Sequence, residues 1–213
     1  MNTTPIAAFD FDGTLTHKES LIQFIKFTHG FPIKLIRTLP TLLKSALGLA
    51  SRQEAKEAIL SCLYKNTPRS SLEATGQSFS DSILDNILNP EMMETLRWHQ
   101  NQGHICVLVS ANIDIYLVPW AKKHNFHHVI CSQLETSPSG LITGKLAHPN
   151  CWGPEKARQL LLLISSQNYN PSQIYAYGDS RGDTEMLALR GLRPLNPHQR
   201  AKPFGNRVPP SGN

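Results

Sequence analysis

The sequence has few cysteines, and none of them is spaced as in common metal or redox motifs. The four are Cys62, Cys106, Cys131 and Cys151, and no two form a C-x-x-C pair. This excludes zinc-ribbon and thioredoxin-type spacing. The N-terminus also lacks the basic region and apolar run of a secretory signal. We therefore predict reduced thiols and a cytoplasmic location, with Cys106 and Cys131 packed in strands.

Acidic residues are missing from two parts of the chain. None occurs between Glu19 and Glu54 or after Glu185, and each of these segments carries five Lys and Arg residues. Because the net charge of the whole chain is +5, the remainder carries −5. The basic segments lack the interleaved aromatics of single-strand binders, so we predict no nucleic-acid partner.

Hydrophobic residues make up 40% of the chain, which permits a packed core, and their pattern indicates an α/β fold. The β-rich runs lie near residues 6–11, 104–109, 128–133, 141–146 and 174–177. Helical patterns separate most of them, and this alternation favours a parallel, doubly wound sheet.

The helical pattern from about Ser20 to Trp98 is too long for one crossover between strands, so it predicts an inserted helical cap. Ser51 and Glu54 fit a capping box for a helix through Tyr64, and Asn89-Pro90 fits a helix start. We predict a Rossmann-like core, a cap, a short strand near 192–195 and a disordered basic tail. The boundaries are 1–16 and 91–197 for the core, 17–90 for the cap and 198–213 for the tail.

Polar residues follow the ends of several β-rich runs. They are Asp10 and Asp12 after the first run, Ser110 and Asn112 after the second, and Asp179 and Asp183 after a later one. Lys156 falls in the first turn of a predicted helix. Because the carboxyl ends of strands in open α/β sheets meet at one crevice, we expect these side chains to converge.

These residue types suit the chemistry of phosphate esters. Several carboxylates in one pocket can hold Mg²⁺, and the metal together with Lys156 would offset phosphate charge. Asp10 is then placed to attack phosphorus. Asp12 can protonate the leaving oxygen and later take a proton from water. Ser110 and the amide of Ala111 can donate hydrogen bonds to phosphate oxygens.

Taken together, the motifs resemble those of the haloacid dehalogenase-like phosphatases, in the phosphoserine phosphatase-like branch. They are Asp10-Phe11-Asp12-Gly13-Thr14-Leu15, Val109-Ser110, Lys156 and Gly178-Asp179-Ser180-Arg181-Gly182-Asp183. The resemblance implies that Asp10 is the nucleophile and Asp12 the acid/base. It also implies that the side chains of Asp10 and Asp179 and the backbone carbonyl of Asp12 bind Mg²⁺, with Asp183 supporting the metal and Ser110 and Lys156 binding phosphate.

The chain departs from the phosphoserine phosphatase pattern at the positions that would read the substrate. Ala111-Asn112 stands where two glycines are typical, and Glu19 is followed by Ser20 instead of glycine. No cap arginine can be assigned, although Arg52 and Arg69 are candidates. The substrate expected from the resemblance is a small phosphorylated metabolite, and its identity stays open.

Several residues have a structural interpretation beside the functional one. For Asn112 we favour an N-cap role in the next helix over substrate contact, and for Glu19 a first-turn helix role over substrate contact. A solvated first-turn lysine is the rival interpretation for Lys156. We favour an anionic partner, since cations are disfavoured near helix N-termini.

The segment from Leu21 to Ala50 has two interpretations. We favour helices whose apolar faces pack together in the cap. The alternative is a basic, apolar surface that lies on an anionic membrane or admits a lipid-type phosphate. This alternative would give a lipid phosphatase or a non-enzymatic membrane-surface protein. A phosphotransferase is a further alternative, since a hydroxyl as well as water can attack the phosphorylated intermediate.

Overall fold

The computed structural model describes residues 4–30, 40, 43–44, 47–48 and 50–189. The strands are β1 (Ile6–Phe9), β2 (Ile105–Ile113), β3 (His128–Ser132), β4 (Leu134–Thr136), β5 (Ile142–Leu146) and β6 (Ile174–Tyr177). The helices are α1 (Ser20–His29), α2 (Arg52–Tyr64), α3 (Arg69–Ser82), α4 (Pro90–Asn101), α5 (Asp114–Lys123), α6 (Pro154–Ser166) and α7 (Thr184–Leu187). Short 3-10 helices lie at Leu84–Ile87 and Arg181–Asp183.

Four strands form a parallel sheet in the order β3-β2-β1-β6, which confirms the predicted α/β fold. In the central strand β1, Ile6 pairs with Ile105 of β2 and with Ile174 of β6. Strands β4 and β5 instead form a separate antiparallel hairpin. All strands of the main sheet therefore end at the same edge.

Alternating side chains of β1 pack on opposite faces of the sheet, as the two-residue period of a strand requires. Ala7 and Phe9 belong to a core with helices from α1 to α5, whereas Ile6 and Ala8 belong to a core with α6 and α7. Helices thus cover both faces, which explains why β1 is apolar along its whole length.

The helical insert, defined as α1 to α3, follows β1 and packs on the sheet domain. Helix α1 ends at His29 before Gly30, and α2 begins with the predicted capping box of Ser51 and Glu54. The predicted helical pieces between residues 33 and 47 lie mostly outside the described residues, as do the predicted strand near 192–195 and the tail. The domain boundaries themselves stay predictions.

Strand β2 is longer than predicted, and this moves three site residues. The prediction ended the strand at Val109, but it continues to Ile113. Its pairing with β3 shifts register between Val109 and Ile113. Ser110, Ala111 and Asn112 therefore lie in an irregular part of the strand, which we call the β2 bulge, and not in a loop after it.

All four cysteines lie among the described residues and are reduced thiols, and Cys106 and Cys131 lie in strands β2 and β3 as predicted. Among the described helices, none combines the length and the apolar character that crossing a bilayer requires.

Candidate active site

Lys156 joins two carboxylates at the edge of the sheet where the strands end. Its ammonium lies 2.5 Å from Asp10 Oδ1 and 2.6 Å from Asp183 Oδ1. All three side chains are buried, with Lys156 only 2% exposed. The interpretation of Lys156 as a solvated helix residue is therefore wrong, and the predicted anionic partner is present.

Three carboxylates converge beside this lysine. Single oxygens of Asp10, Asp179 and Asp183 all lie within 4.8 Å of one another. Asp10 follows β1, while Asp179 and Asp183 follow β6, the neighbouring strand. Oxygen donors at this spacing suit a hard divalent cation such as Mg²⁺, and one lysine does not balance three carboxylates. The residues present thus fit a metal site.

The Asp179 carboxylate approaches the backbone of the first loop closely. Gly13 has φ +77°, and a Cβ atom there would lie 2.2 Å from Asp179 Oδ2. Asp183 is fixed from the other side, because its Oδ2 accepts hydrogen bonds from the backbone N–H and hydroxyl of Ser180. The two loops are therefore packed closely, with the Asp179 carboxylate against the backbone of Gly13.

Burial and neighbouring charges act in opposite directions on the pKa values of Asp10 and Lys156. Burial raises the pKa of Asp10 to about 7, although Lys156 opposes this shift. For Lys156, burial acts to lower the pKa, but Asp10 and Asp183 outweigh it and raise the pKa. Lys156 is thus held as a cation. A second cation near Asp10 would favour the ionised form of Asp10.

Asp12 is hydrogen-bonded to the start of the helical insert and is not one of the three clustered carboxylates. Its two carboxylate oxygens accept the backbone N–H of Ser20 at 3.0 Å, and one also accepts from Thr16 Oγ1 at 3.4 Å. Burial raises the pKa of Asp12, while hydrogen bonds from Asn112 and Ser20 oppose it. A raised pKa suits a group that must carry a proton.

Glu19 is the exposed N-cap residue of α1, but its side chain makes no capping hydrogen bond. Burial of part of the side chain and the nearby Asp12 raise its pKa. Glu19 therefore lies beside Asp12 at the rim of the site. The prediction placed it in the first turn of the helix, but it is the N-cap residue, just before that turn.

The β2 bulge connects Ser110 to the helical insert. Ser110 Oγ accepts hydrogen bonds from the backbone N–H and Nδ2 of Asn112, both at 3.2 Å. The hydroxyl of Ser110 can still donate its own hydrogen. Asn112 Oδ1 accepts from the Tyr116 hydroxyl at 2.9 Å, and Tyr116 also contacts the Ser20 hydroxyl at 3.3 Å.

The predicted N-cap role of Asn112 is wrong. The N-cap of α5 is Ile113, and no side chain caps that helix. The longer β2 shifts the helix start by one residue, and the Asn112 side chain turns to Ser110 and Asp12 instead.

Of the two candidate cap arginines, Arg69 binds other residues of the protein. It forms ion pairs with Glu73 and Asp114 and also donates to the carbonyl of Leu134. Arg52 lies over the Trp152 ring, 4.5 Å from its centroid.

One cation at this edge of the sheet was not predicted. Lys56 of α2 donates hydrogen bonds to the carbonyl oxygen of Ala111 and, at 3.1 Å, to Asn150 Oδ1. No sequence signal marks it, because lysines on helices usually lie on the solvated face. Only the position of α2 over the β2 bulge gives it this environment.

The site and fold can be compared with known proteins. The family model described as haloacid dehalogenase-like hydrolase matches residues 7–188. Protein CicA of Caulobacter vibrioides is 30% identical over 186 residues, covering 86% of this chain and 82% of its own.

Solved structures share the fold. A Bordetella pertussis protein of unknown function has a TM-score of 0.76 at 23% identity, covering 88% of this chain and 87% of its own. A phospho-aspartyl intermediate analogue of phosphoserine phosphatase has a TM-score of 0.61 at 19% identity, covering 88% and 83%. With a family model matched over most of its length and this arrangement of aspartates and lysine, the chain belongs to the haloacid dehalogenase-like hydrolases.

Proposed function

We propose that this protein is a Mg²⁺-dependent phosphatase that hydrolyses a phosphate monoester through an aspartyl-phosphate on Asp10. The observation that carries the proposal is the contact of Lys156 with Asp10 and Asp183, with Asp179 beside them. The likeness to a phosphoserine phosphatase captured as a phospho-aspartyl analogue supports the same chemistry.

Asp10, Asp179 and Asp183 would hold the metal, together with the backbone carbonyl of Asp12. When bound, Mg²⁺ supplies positive charge that offsets the charge of the phosphate and of the carboxylates. The ammonium of Lys156 adds a second positive charge at the same place, and Ser110 is placed to donate its hydroxyl hydrogen to a phosphate oxygen.

In the first step, an oxygen of Asp10 attacks phosphorus and the bond to the leaving oxygen breaks. Asp12 gives its proton to that oxygen, which leaves as an alcohol. In the second step, a water molecule gives a proton to Asp12 and attacks phosphorus. The bond between phosphorus and the Asp10 oxygen then breaks, which releases inorganic phosphate and restores both aspartates.

The proposed substrate is a small phosphorylated metabolite of the phosphoserine type. The exposed carboxylate of Glu19 lies at the rim of the site near Asp12, where an amino group of such a substrate would meet it. The exposed apolar side chains of Ile22, Phe27, Leu43 and Leu47 would suit the lipid-type alternative, so vesicle-borne phosphates serve as the comparison in a substrate screen.

The test is hydrolysis of an aryl phosphate by the wild type and by Asp10→Asn, with Mg²⁺ and with a chelator. We expect the variant to lose at least about three orders of magnitude in kcat, because the nucleophile is gone. Chelation should also abolish turnover in the wild type.

Asp81→Asn is the matched control, since Asp81 is exposed on α3 and bonds only to Gln77 among the contacts described. Equal rates for Asp10→Asn and the wild type would show that Asp10 is not the nucleophile. Acid-quenched wild type should carry acid-stable, base-labile phosphate on the peptide that contains Asp10.

A further inference from the structure

Lys56 is a cation of the helical insert whose partners are neutral. In the second turn of α2, it donates to the Ala111 carbonyl and to the Asn150 side chain. Within the described part of the chain, no carboxylate forms an ion pair with it. A partly buried ammonium of this kind is costly, so its position requires an explanation other than stability.

The Ala111 carbonyl belongs to the β2 bulge, where the pairing of β2 with β3 shifts register. Bulges interrupt the regular hydrogen bonds of a ladder, and a buried backbone carbonyl needs a partner. Lys56 supplies a charged donor, which makes a stronger hydrogen bond than a neutral one. The orientation of the bulge therefore depends on a residue of the insert.

The same side of α2 also holds the loop that leads to Lys156. Gln53 Oε1 accepts the backbone N–H of Asn150 at 3.2 Å, beside the bond from Lys56 to the Asn150 side chain. Arg52 covers Trp152, whose ring in turn packs on Gly182. Helix α2 is thus attached to the β2 bulge, which carries Ser110 and Ala111, and to the loop that leads to Lys156.

We propose that Lys56 is a positioning residue, which acts from the helical insert on the β2 bulge and on the 147–152 loop and so sets the geometry of Ser110 and Lys156. This inference rests on the proposed phosphatase function. Lys56 does not take part in the chemical steps; it fixes the two segments against each other so that their donors face one phosphate group.

The charge state of Lys56 is consistent with this role. Burial lowers its pKa to about 8, while Cys151, Cys131, Asp12 and Asp114 face it from the surrounding elements and act to raise the pKa. The ammonium is therefore still charged near neutral pH and can donate to both acceptors at once.

The experiment compares Lys56→Met, Lys56→Arg and the control Lys65→Met, which changes an exposed lysine at the end of the same helix. We expect Lys56→Met to lower kcat for an aryl phosphate roughly 10- to 100-fold, with KM changed less than about threefold, since misplaced groups slow the reaction more than they weaken binding. Lys56→Arg should recover much of the loss, and Lys65→Met should resemble the wild type.

A second measurement does not depend on turnover. In amide hydrogen exchange of the free proteins, we expect residues 110–113 and 147–152 to exchange about tenfold faster in Lys56→Met than in the wild type or in Lys65→Met. The midpoint of thermal unfolding should change little, because removal of a partly buried charge without an ion-pair partner offsets the loss of the hydrogen bond to the Ala111 carbonyl.

Three results would overturn the proposal: unchanged exchange in both segments, an unchanged kcat, or a rise of KM alone, which would make Lys56 a substrate ligand. A wild-type protein that hydrolyses no phosphate ester refutes the proposed function instead. In that case, the exchange measurement still decides whether Lys56 fixes the two segments.

Discussion

At the scale of the residue, the first loop depends on a side chain that is missing at Gly13. The φ of +77° lies in the region where residues with a Cβ are strained, and Asp179 occupies the space that a Cβ would need. Gly140 has a similar φ of +78°, but a Cβ there would meet no atom within 4 Å. Substitutions at the two glycines therefore distinguish two effects. Both positions share the backbone strain, but only Gly13 closely approaches a carboxylate.

We expect Gly13→Ala to lose about 1–3 kcal/mol of unfolding free energy and at least about 100-fold in phosphatase rate. Gly140→Ala should lose less free energy and keep its rate, because its Cβ adds backbone strain but displaces no atom. Urea unfolding and aryl phosphate hydrolysis check both variants. A Gly13→Ala protein with the wild-type rate would show that the contact with Asp179 does not matter.

At the scale of the element, the helical insert meets the sheet domain where α3 crosses α5. Gly76 lies buried in the interior of α3, and a Cβ on it would lie 2.3 Å from the backbone carbonyl oxygen of Ile115. Nearby, Phe79 and Tyr116 pack ring against ring at 5.3 Å. The helices are therefore close because one of them has no side chain at the crossing.

Replacing glycine by alanine within a helix usually stabilises it by up to about 1 kcal/mol. For Gly76→Ala we expect the opposite sign, a loss of about 1–3 kcal/mol, because the backbone of α5 cannot move without disturbing its packing. Ser71→Ala, at an exposed position of the same helix, provides the reference. Chemical denaturation that finds Gly76→Ala more stable than the wild type would contradict this packing.

At the scale of the whole molecule, acid stability depends on a histidine that is buried away from the carboxylate cluster. His99 is 0% exposed, and its ring nitrogens lie 2.8 Å from the Tyr177 hydroxyl and 2.7 Å from His104 Nδ1. Burial, with a smaller effect from His104, lowers its pKa from 6.5 to about 3. The folded protein therefore resists protonation at a site that the unfolded chain protonates near pH 6.5.

Between pH 7.5 and pH 5 the unfolded chain protonates this histidine and the folded protein does not. His99 should therefore lower the free energy of unfolding by about 2 kcal/mol over this range. Asp10 acts in the opposite direction, because its raised pKa favours the folded state as the pH falls. The wild type and the His99→Asn variant both contain Asp10, so the contribution of Asp10 cancels when their pH dependences are compared. We expect His99→Asn to be less stable at pH 7.5 but to lose less free energy than the wild type on acidification, measured by urea unfolding at both values. Equal pH dependence would show that His99 titrates normally.

The sequence by itself determined the fold class and the residues that cluster at the edge of the sheet. Strands of uniform apolar character alternate with helices, and this pattern permits few arrangements other than a parallel sheet. Asp10, Asp179, Asp183 and Lys156 could be predicted because strand ends in such a sheet meet at one edge. The capping box at Ser51 and the stop at Gly30 are equally local, since they depend on neighbours in the chain.

Only the tertiary structure decided how the site is supported. The extension of β2 to Ile113 follows from pairing with β3, and it made the predicted cap at Asn112 part of the β2 bulge. Arg69, a candidate to bind substrate, forms an ion pair with Asp114 instead. Lys56 and the Ala111 carbonyl lie 55 positions apart, and they meet because α2 packs over the sheet edge. Such contacts depend on how elements pack across long sequence separations, which local residue patterns do not encode.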